Sequence, residues 1–248
     1  MKYLCIIGGF DPTGHAGVLR DAQVIQRCGI AARTLVTALT IQNDRKYFGH
    51  HILPANVFLR SWEALPLKEL AAVKIGMLGS LAIVKNLVTQ LERLKCVNKR
   101  VKVVWDPVFS SSSGGELLPL SAIRWAVKNL TPHCDLVTPN ANEVSYFVYG
   151  DAATPEKLCA DFWQKFEVPI YLKGGHLPTR ARDWLHDGRK LVILDGQKSR
   201  KKVRGTGCYF ATAVACGWVR GKTLLATCQL AKEMMQREFN APSYAAPS

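Results

Sequence analysis

A short loop near the carboxyl end of the chain carries the clearest chemical signal in the sequence. The loop is Gly205-Thr206-Gly207-Cys208, and small residues that can begin a helix follow it. Successive backbone N–H groups at the amino terminus of a helix bind anions, because the helix dipole adds positive charge there. The same position should lower the pKa of the Cys208 thiol. The loop therefore predicts an oxyanion site with an activated side chain, suited to chemistry on a phosphate.

Other polar residues directly follow hydrophobic segments that have the composition of strands. They are Asp11, Gln42, Asn43, Asp106, Asn140 and Lys173. In an open parallel sheet, the carboxyl ends of the strands meet at one edge, and ligands bind there. We therefore expect these side chains to gather near Cys208, although they come from loops that are far apart in the sequence.

Each of these signals also has a structural interpretation. Asp106 is as typical of a loop cap as of a carboxylate that holds a metal–phosphate. Asn140 and Glu143 have the spacing of a helix capping box, and the same pair suits hydrated Mg²⁺, which takes few protein ligands. Lys173 precedes two glycines and suits a phosphate as a mobile charge.

The first loop, residues 8–17, is rich in glycine. It matches neither G-x-x-x-x-G-K-[ST] nor G-x-G-x-x-G, so it does not support a P-loop or a dinucleotide-binding site. Its glycines allow a ligand to approach the backbone, and Asp11 or Asp21 could bind a polar ring edge. An ordinary strand-to-helix turn is the alternative interpretation.

The elements that must position these residues alternate between strands and helices. Strands are predicted over 3–7, 34–39, 73–75, 101–105, 136–138 and 170–172, and helices over 16–28, 81–94, 121–129, 155–166, 206–220 and 223–239. A small hairpin is predicted from 183 to 194. This pattern indicates an α/β fold, with a mostly parallel central sheet covered by helices on both faces. We expect a single domain over residues 1–240 and a disordered tail over 241–248.

Composition limits the classes of protein further. The 248 residues carry a formal net charge of +14, with one dense basic run from Lys198 to Arg204. A solvated basic surface is the first interpretation of this charge and a role near phosphates is the second, and no nucleic-acid-binding motif accompanies it. The eight cysteines lack metal-ligand spacing, which predicts buried reduced thiols except at Cys208. No run of eighteen apolar residues occurs, so we expect no membrane span and a cytoplasmic protein.

Taken together, eight segments resemble, in order, the hydroxymethylpyrimidine and phosphomethylpyrimidine kinases of the ribokinase-like superfamily. The segments are Gly9–Gly14 with Ala16-Gly17 and Asp21, Thr37–Asn43, Lys74–Leu78, Asp106-Pro107-Val108, Thr138-Pro139-Asn140 with Glu143, Lys173–His176, Asp183–Leu185 and Gly205–Cys208. The match covers about residues 3–238. The cysteine that ends G-T-G-C is especially informative, because sugar kinases of the superfamily usually carry aspartate there.

The resemblance implies a ribokinase-like three-layer α/β/α fold and ATP-dependent phosphorylation in thiamine biosynthesis. The substrates would be 4-amino-5-hydroxymethyl-2-methylpyrimidine and then its monophosphate, with Mg²⁺ required and a homodimer expected. By analogy, the residues that line the pyrimidine pocket are Gly9, Asp21, Gln42, Met77 and Val108.

The resemblance also implies roles in phosphoryl transfer. Asp106, Asn140 and Glu143 would organise Mg–ATP, while Lys173 would bind the nucleotide phosphates. Cys208 would take the proton of the substrate hydroxymethyl group. The backbone N–H groups of Gly205, Thr206, Gly207 and Cys208 would stabilise the transferring group.

The chain departs from the family pattern at several positions. Phe10 replaces a serine, His15 a glycine, Arg204 a histidine or aspartate and Tyr209 a small hydroxyl residue, and a lysine common near Ser112 is missing. These changes leave two alternatives open. One is a pyridoxal kinase-like activity, and the other is a catalytically degenerate member that senses a pyrimidine or binds nucleic acid.

Overall fold

A computed structural model describes residues 2–111, 114–148, 154–174, 182–196 and 204–240. The predictions for the 241–248 tail, for Ser112 and for the basic residues 198–202 lie outside these ranges. Within the described part of the chain, no helix is long and apolar enough to span a membrane.

The described strands form a nine-stranded sheet, which confirms the predicted α/β class. The strands are β1 (Tyr3–Phe10), β2 (Ala32–Gln42), β3 (Tyr47–Ile52), β4 (Leu70–Ile75), β5 (Lys102–Trp105), β6 (Leu136–Val137), β7 (Ile170–Leu172), β8 (Asp183–His186) and β9 (Leu191–Leu194). Their spatial order is β3-β2-β1-β4-β5-β6-β7-β8-β9. The six strands from β2 to β7 in this order are parallel, and β3, β8 and β9 are antiparallel to their neighbours.

Helices cover both faces of the sheet. They are α1 (Gly17–Cys28), α2 (Ala55–Glu63), α3 (Leu81–Val97), α4 (Leu120–Asn129), α5 (Ala141–Val144), α6 (Pro155–Phe166), α7 (Thr206–Val219) and α8 (Leu224–Asn240). The side chains of strand β1 contact both helical layers. On one face of the sheet, Cys5 and Ile7 pack toward α2, α3, α4 and α6. Leu4 and Ile6, on its other face, pack toward α1, α7 and α8. Both faces of β1 are buried, as the continuous hydrophobic run predicts.

Two elements were not predicted from the sequence. Strand β3 lies at the edge of the sheet and contains Gly49 and two histidines. It therefore lacks the clear alternation of apolar and polar residues that indicates a strand. Helix α2 buries only Phe58 and Trp62, which is too short an apolar stripe to be recognised. The hairpin of β8 and β9 and the long helices agree with the prediction to within a few residues.

The cysteines are reduced, and six of the eight are buried as predicted. Cys96 is the exception, because it lies near the end of α3 and is exposed. Cys208 is partly buried.

The order of strands places a topological switch at β1. The connection through α1 leads to β2 on one side of β1, whereas β4 and the following strands lie on the other side. A crevice forms outside the carboxyl ends of the strands at such a point, and ligands bind there in open α/β sheets. The segments after β1, β4, β5, β6 and β7 therefore face one common site.

Candidate active site

The amino terminus of α7 lies against the loops at the carboxyl edge of the sheet. Gly205 has φ 73°, and a Cβ there would lie 1.8 Å from the His15 carbonyl oxygen, so only glycine fits. A Cβ on Gly207 would lie 3.0 Å from Lys173 Nζ and 3.3 Å from Asp106 Oδ2. We call the loop Gly205–Cys208, which the sequence predicts to bind an anion, the anion loop; its Thr206 is exposed. The structure thus places the anion loop beside Asp106 and Lys173, the pair predicted to bind ATP.

Lys173 joins two carboxylates beside this loop. Its Nζ lies 2.8 Å from Asp106 Oδ1 and 3.7 Å from Glu143 Oε2. Burial alone lowers the pKa of Lys173, but Asp106 and Glu143 outweigh burial and raise it above its ordinary value. Lys173 is therefore fully protonated at neutral pH, and its ammonium group neutralises part of a buried acidic pair.

Asn140 and Glu143 form the capping box that the sequence predicts as their structural role. Asn140 Oδ1 accepts from the N–H groups of Asn142 and Glu143, and the Asn140 N–H donates to Glu143 Oε2 at 2.8 Å. Burial raises the pKa of Glu143 to about 6, with Lys173 opposing the shift and Asp106 adding to it. The box fixes the turn that presents Glu143 to Lys173.

The acidic residues suit a nucleotide-borne Mg²⁺. No group of three or more His, Cys, Asp or Glu side chains in the described ranges could hold a metal by itself. Mg²⁺ generally takes one or two carboxylates and completes its coordination with phosphates and water. Asp106 and Glu143, two buried carboxylates on a common ammonium group, fit that requirement.

Cys208 lies where the amino termini of two helices meet. The backbone N–H of Gly17, at the start of α1, lies near the thiol in the first turn of α7 and lowers its pKa. Nevertheless, burial raises the pKa of Cys208 to about 11; Lys74 lowers it, while Asp21 and Asp106 raise it. The expectation of a lowered pKa is therefore wrong for the unliganded protein, because desolvation and two carboxylates outweigh the helix termini.

Asp21 does not join the expected pyrimidine pocket in this structure. Its carboxylate is fully buried and accepts from Lys74 Nζ at 2.8 Å and from Thr212 Oγ1 at 2.7 Å. Burial lowers the pKa of Lys74, but the neighbouring Asp21, Cys208 and Asp106 raise it above its ordinary value. Asp21 thus has no surface open to a ligand, and its ion pair with Lys74 sets the electrostatic environment behind Cys208.

Three of the predicted pocket residues do come together. Met77 packs with Ala38 and Leu117, and Val108 and Tyr47 pack against this cluster. A Cβ on Gly9 would lie 2.7 Å from Met77 Sδ, so the glycine lets the methionine lie on the backbone of β1. Tyr47, which the sequence did not single out, pairs with Gln42 across β2 and β3.

Gln42 is held by Arg204, one of the departures from the family pattern. Arg204 Nη2 donates to Gln42 Oε1 at 2.9 Å, and Gln42 Nε2 donates to Thr40 Oγ1 at 2.9 Å. His15, a second departure, lies with its Nε2 at 3.2 Å from Asp44 Oδ1. Both residues therefore bind the turn between β2 and β3.

The remaining candidates stabilise loops and the packing around them. Asp11 accepts from the N–H groups of Thr13 and Ala16, and Asn43 Oδ1 accepts from the N–H groups of Arg45 and Lys46. Phe10 and Tyr209 pack in the α1–α7 layer.

A buried network that the sequence did not assign supports Lys173. Asp183 accepts from the Gly174 N–H at 2.8 Å, from Tyr171 Oη at 2.8 Å and from Lys232 Nζ at 2.7 Å. Asp183 thereby fixes the end of β7 immediately after Lys173. Its place in the motif Asp183–Leu185 is the signal that points to it.

This fold, with an anion loop at the head of α7 facing a lysine and two carboxylates, is that of the ribokinase-like kinases. The model of the family described as phosphomethylpyrimidine kinase matches residues 11–245. The chain therefore belongs to the phosphomethylpyrimidine kinase family.

One relative of known sequence agrees with this assignment, and two solved structures share the fold. The chain is 32% identical over 238 residues to the hydroxymethylpyrimidine/phosphomethylpyrimidine kinase of Aquifex aeolicus, covering 92% of this chain and 91% of that protein. The crystal structure of phosphomethylpyrimidine kinase from Clostridium difficile superposes with a TM-score of 0.81 at 24% identity, covering 96% and 99% of the two chains. Pyridoxal kinase from Staphylococcus aureus, in complex with AMP-PCP and pyridoxal, has a TM-score of 0.84 at 23% identity, covering 97% and 88%.

Proposed function

We propose that the protein uses ATP to phosphorylate 4-amino-5-hydroxymethyl-2-methylpyrimidine and then its monophosphate, as a step of thiamine biosynthesis. The observation that carries this proposal is that Cys208 and the anion loop lie beside the Asp106–Lys173 pair. The match to the family model supports the same substrate class.

The pyrimidine would bind over the apolar cluster of Met77 and Val108, with Gln42 at its polar edge. In the first transfer, the hydroxymethyl oxygen attacks the γ-phosphorus while the bond from phosphorus to ADP breaks. Cys208 accepts the hydroxyl proton, and the N–H groups of Gly205, Gly207 and Cys208 donate to the oxygens of the transferring group. Such positioning and electrostatic stabilisation account for most of the catalysis in phosphoryl transfer.

The nucleotide would bind on the other side of the anion loop. Lys173 would bind its phosphates, and Asp106, Asn140 and Glu143 would orient the metal-bound nucleotide. Mg²⁺ supplies charge neutralisation on the phosphate oxygens when it is bound. Without nucleotide, Lys173 neutralises the same carboxylates. Asp106 and Glu143 would therefore be held by both the Lys173 ammonium group and Mg²⁺ when the nucleotide binds.

A second candidate is pyridoxal kinase activity. The observation in its favour is that the pyridoxal kinase fold superposes on this chain as well as the pyrimidine kinase fold does. Both substrates carry a hydroxymethyl group on an aromatic nitrogen ring, so one pocket could accept either. The ratio of kcat/KM for the two substrates discriminates between the candidates.

A coupled ATP assay with the purified protein tests the proposal. We expect turnover with the hydroxymethylpyrimidine and a kcat/KM at least about tenfold higher than with pyridoxal. Cys208→Ala should lower the rate with the alcohol by about 10²–10⁴-fold, as expected for loss of a general base. Cys96→Ala, at an exposed cysteine, is the control. A folded protein without turnover on either substrate, together with steeply salt-dependent nucleic-acid binding, would instead favour the degenerate alternative.

By resemblance to the family we also expect a homodimer. Multi-angle light scattering on the purified chain measures its molar mass, and a monomer would contradict this expectation.

A further inference from the structure

Arg204 connects two parts of the site that have different chemical tasks. Its backbone directly precedes Gly205, the first residue of the anion loop. Its guanidinium group reaches the end of β2, where Nη2 donates to Gln42 Oε1 at 2.9 Å and Nη1 donates to the Asn43 carbonyl at 3.3 Å. The positive charge therefore lies between the loop for the transferring phosphate and the residue expected at the pyrimidine edge.

One donor of this guanidinium group has no acceptor in the described part of the chain. Arg204 Nε is buried, and no hydrogen-bond partner for it occurs among the described residues. Buried polar groups are nearly always hydrogen-bonded, so an unpaired N–H calls for an explanation. Arg204 as a whole is only partly buried, so the outer part of its guanidinium group is open to a ligand. A planar guanidinium group presents a fork of N–H donors that matches two oxygens of a phosphate.

The charge of Arg204 is also uncompensated in the part of the chain that the structure describes. No carboxylate there forms an ion pair with it. The nearest acidic side chain on the same turn, Asp44, pairs with His15 instead. The groups that accept from Arg204 are two neutral amide oxygens, which an anion can displace.

We infer that Arg204 binds a phosphate already present on the acceptor, and so determines specificity for a pyrimidine phosphomonoester over the free alcohol. This inference rests on the proposed function and adds a residue for its second step. Arg204 would hold oxygens of the monophosphate next to the anion loop, while the pyrimidine occupies the apolar cluster.

The second transfer then has a different proton requirement from the first. A phosphomonoester loses its second proton near pH 6 and is largely a dianion at neutral pH. One of its oxygens attacks the γ-phosphorus as the bond to ADP breaks, and a new P–O–P linkage forms without release of a proton. The phosphorylated acceptor therefore needs a cation to reduce repulsion between two anions, and it does not need a base.

The test compares the two acceptors with Arg204→Gln in the full-length chain. We expect kcat/KM for the monophosphate to fall by about 10–100-fold, mainly through KM, because a charged hydrogen bond is lost. The value for the alcohol should fall by a smaller factor, because only the hydrogen bond that holds Gln42 is lost with that acceptor. Arg189→Gln, at the exposed turn of the β8–β9 hairpin, removes the same charge away from the site and should leave both values unchanged.

Three results would overturn the inference. Equal losses with both acceptors, matched by those of Gln42→Ala, would mean that Arg204 acts only by holding Gln42. A raised KM for ATP with the alcohol as acceptor would assign Arg204 to the nucleotide phosphates. A wild-type protein that phosphorylates the alcohol and not the monophosphate would leave Arg204 without its ligand.

A different result would contradict the proposed function, namely a wild-type protein that phosphorylates neither acceptor. In that case, equilibrium titration of the wild-type protein and Arg204→Gln with the pyrimidine monophosphate still tests the inference. Equal dissociation constants for the two proteins would overturn it, and weaker binding by the variant would support it.

Discussion

Gly207 and Lys173 meet at the centre of the site, where a single methyl group on the glycine would lie 3.0 Å from the lysine Nζ. Lys173 Nζ also lies 2.8 Å from Asp106 Oδ1. The start of α7 therefore packs against an ion pair whose two residues follow β5 and β7. This contact joins the carboxyl ends of β5 and β7 to α7.

Lys173→Met should lower kcat/KM by about 10²–10³-fold, the usual effect of removing one group that stabilises a transferring phosphoryl. The change also leaves Asp106 and Glu143 without their cation, so binding of Mg–ATP should become more dependent on Mg²⁺ concentration. Steady-state kinetics over a Mg²⁺ titration measures both effects. Lys157→Met, which removes an exposed lysine paired with Asp161, is the control and should behave as wild type.

The rate with the alcohol as acceptor should rise with pH between about 7 and 9. Burial raises the pKa of Cys208 to about 11, so the thiolate is scarce at neutral pH and increases about tenfold per pH unit. The pH profile of kcat/KM measures this dependence, because it reports groups in the free enzyme. A flat profile, or a slope that persists in Cys208→Ala, would remove the thiol from the proton transfer.

Glu143 should make the free energy of unfolding fall as pH rises. Its pKa is raised from 4.5 to about 6 in the folded protein, mainly by burial, so the native state holds the proton more tightly than the unfolded state. The linked cost is absent below pH 4.5 and reaches ~2 kcal/mol above pH 6.

Glu143→Gln isolates this effect, because the amide oxygen can still accept the Asn140 N–H. Urea unfolding of both proteins without nucleotide, at pH 4.5 and pH 7, measures the difference. The wild type should lose about 2 kcal/mol relative to the variant between these pH values. If the difference in free energy of unfolding between the two proteins does not change with pH, the pKa of Glu143 is not raised in the folded protein.

Gly205→Ala should lower activity by about 100-fold, since the displaced loop loses aligned N–H donors. The new Cβ would lie 1.8 Å from the His15 carbonyl, so the turn must move. Gly221→Ala is a matched control, because Gly221 has nearly the same φ of 74° and open space around its Cβ position.

The control should cost about 1–2 kcal/mol of stability, from the left-handed conformation alone, and leave activity intact. Circular dichroism checks that both variants fold. Equal kinetics for Gly205→Ala and Gly221→Ala would show that the close approach to His15 has no catalytic consequence.

Local patterns in the sequence predicted much of this arrangement. The N-x-x-E spacing predicted the capping box of Asn140 and Glu143, and strand-end positions predicted the meeting of Asp106 with Lys173. These features depend on neighbours in the chain or on the general geometry of parallel sheets, so periodicity and spacing are enough to find them.

Features that depend on contacts between residues far apart in the sequence could not be predicted. The pKa of Cys208 is raised mainly by burial, and further by Asp21 and Asp106, whose carboxylates approach the thiol only in the folded protein. The ion pair of Asp21 with Lys74, which closes that carboxylate to ligands, joins α1 to β4. The hydrogen bond from Arg204 to Gln42 spans 162 positions in the chain, and no local signal records it.

The meeting of α1 and α7 at Cys208 has a consequence for biosynthesis of the protein. Thr212 and Asp21, which share a buried hydrogen bond behind the thiol, are 191 positions apart. The segment from Asp21 to Thr212 must therefore emerge from the ribosome before the two helix ends can close on each other. Contacts between such distant segments form slowly. Incomplete chains that lack either helix would thus lack the assembled centre.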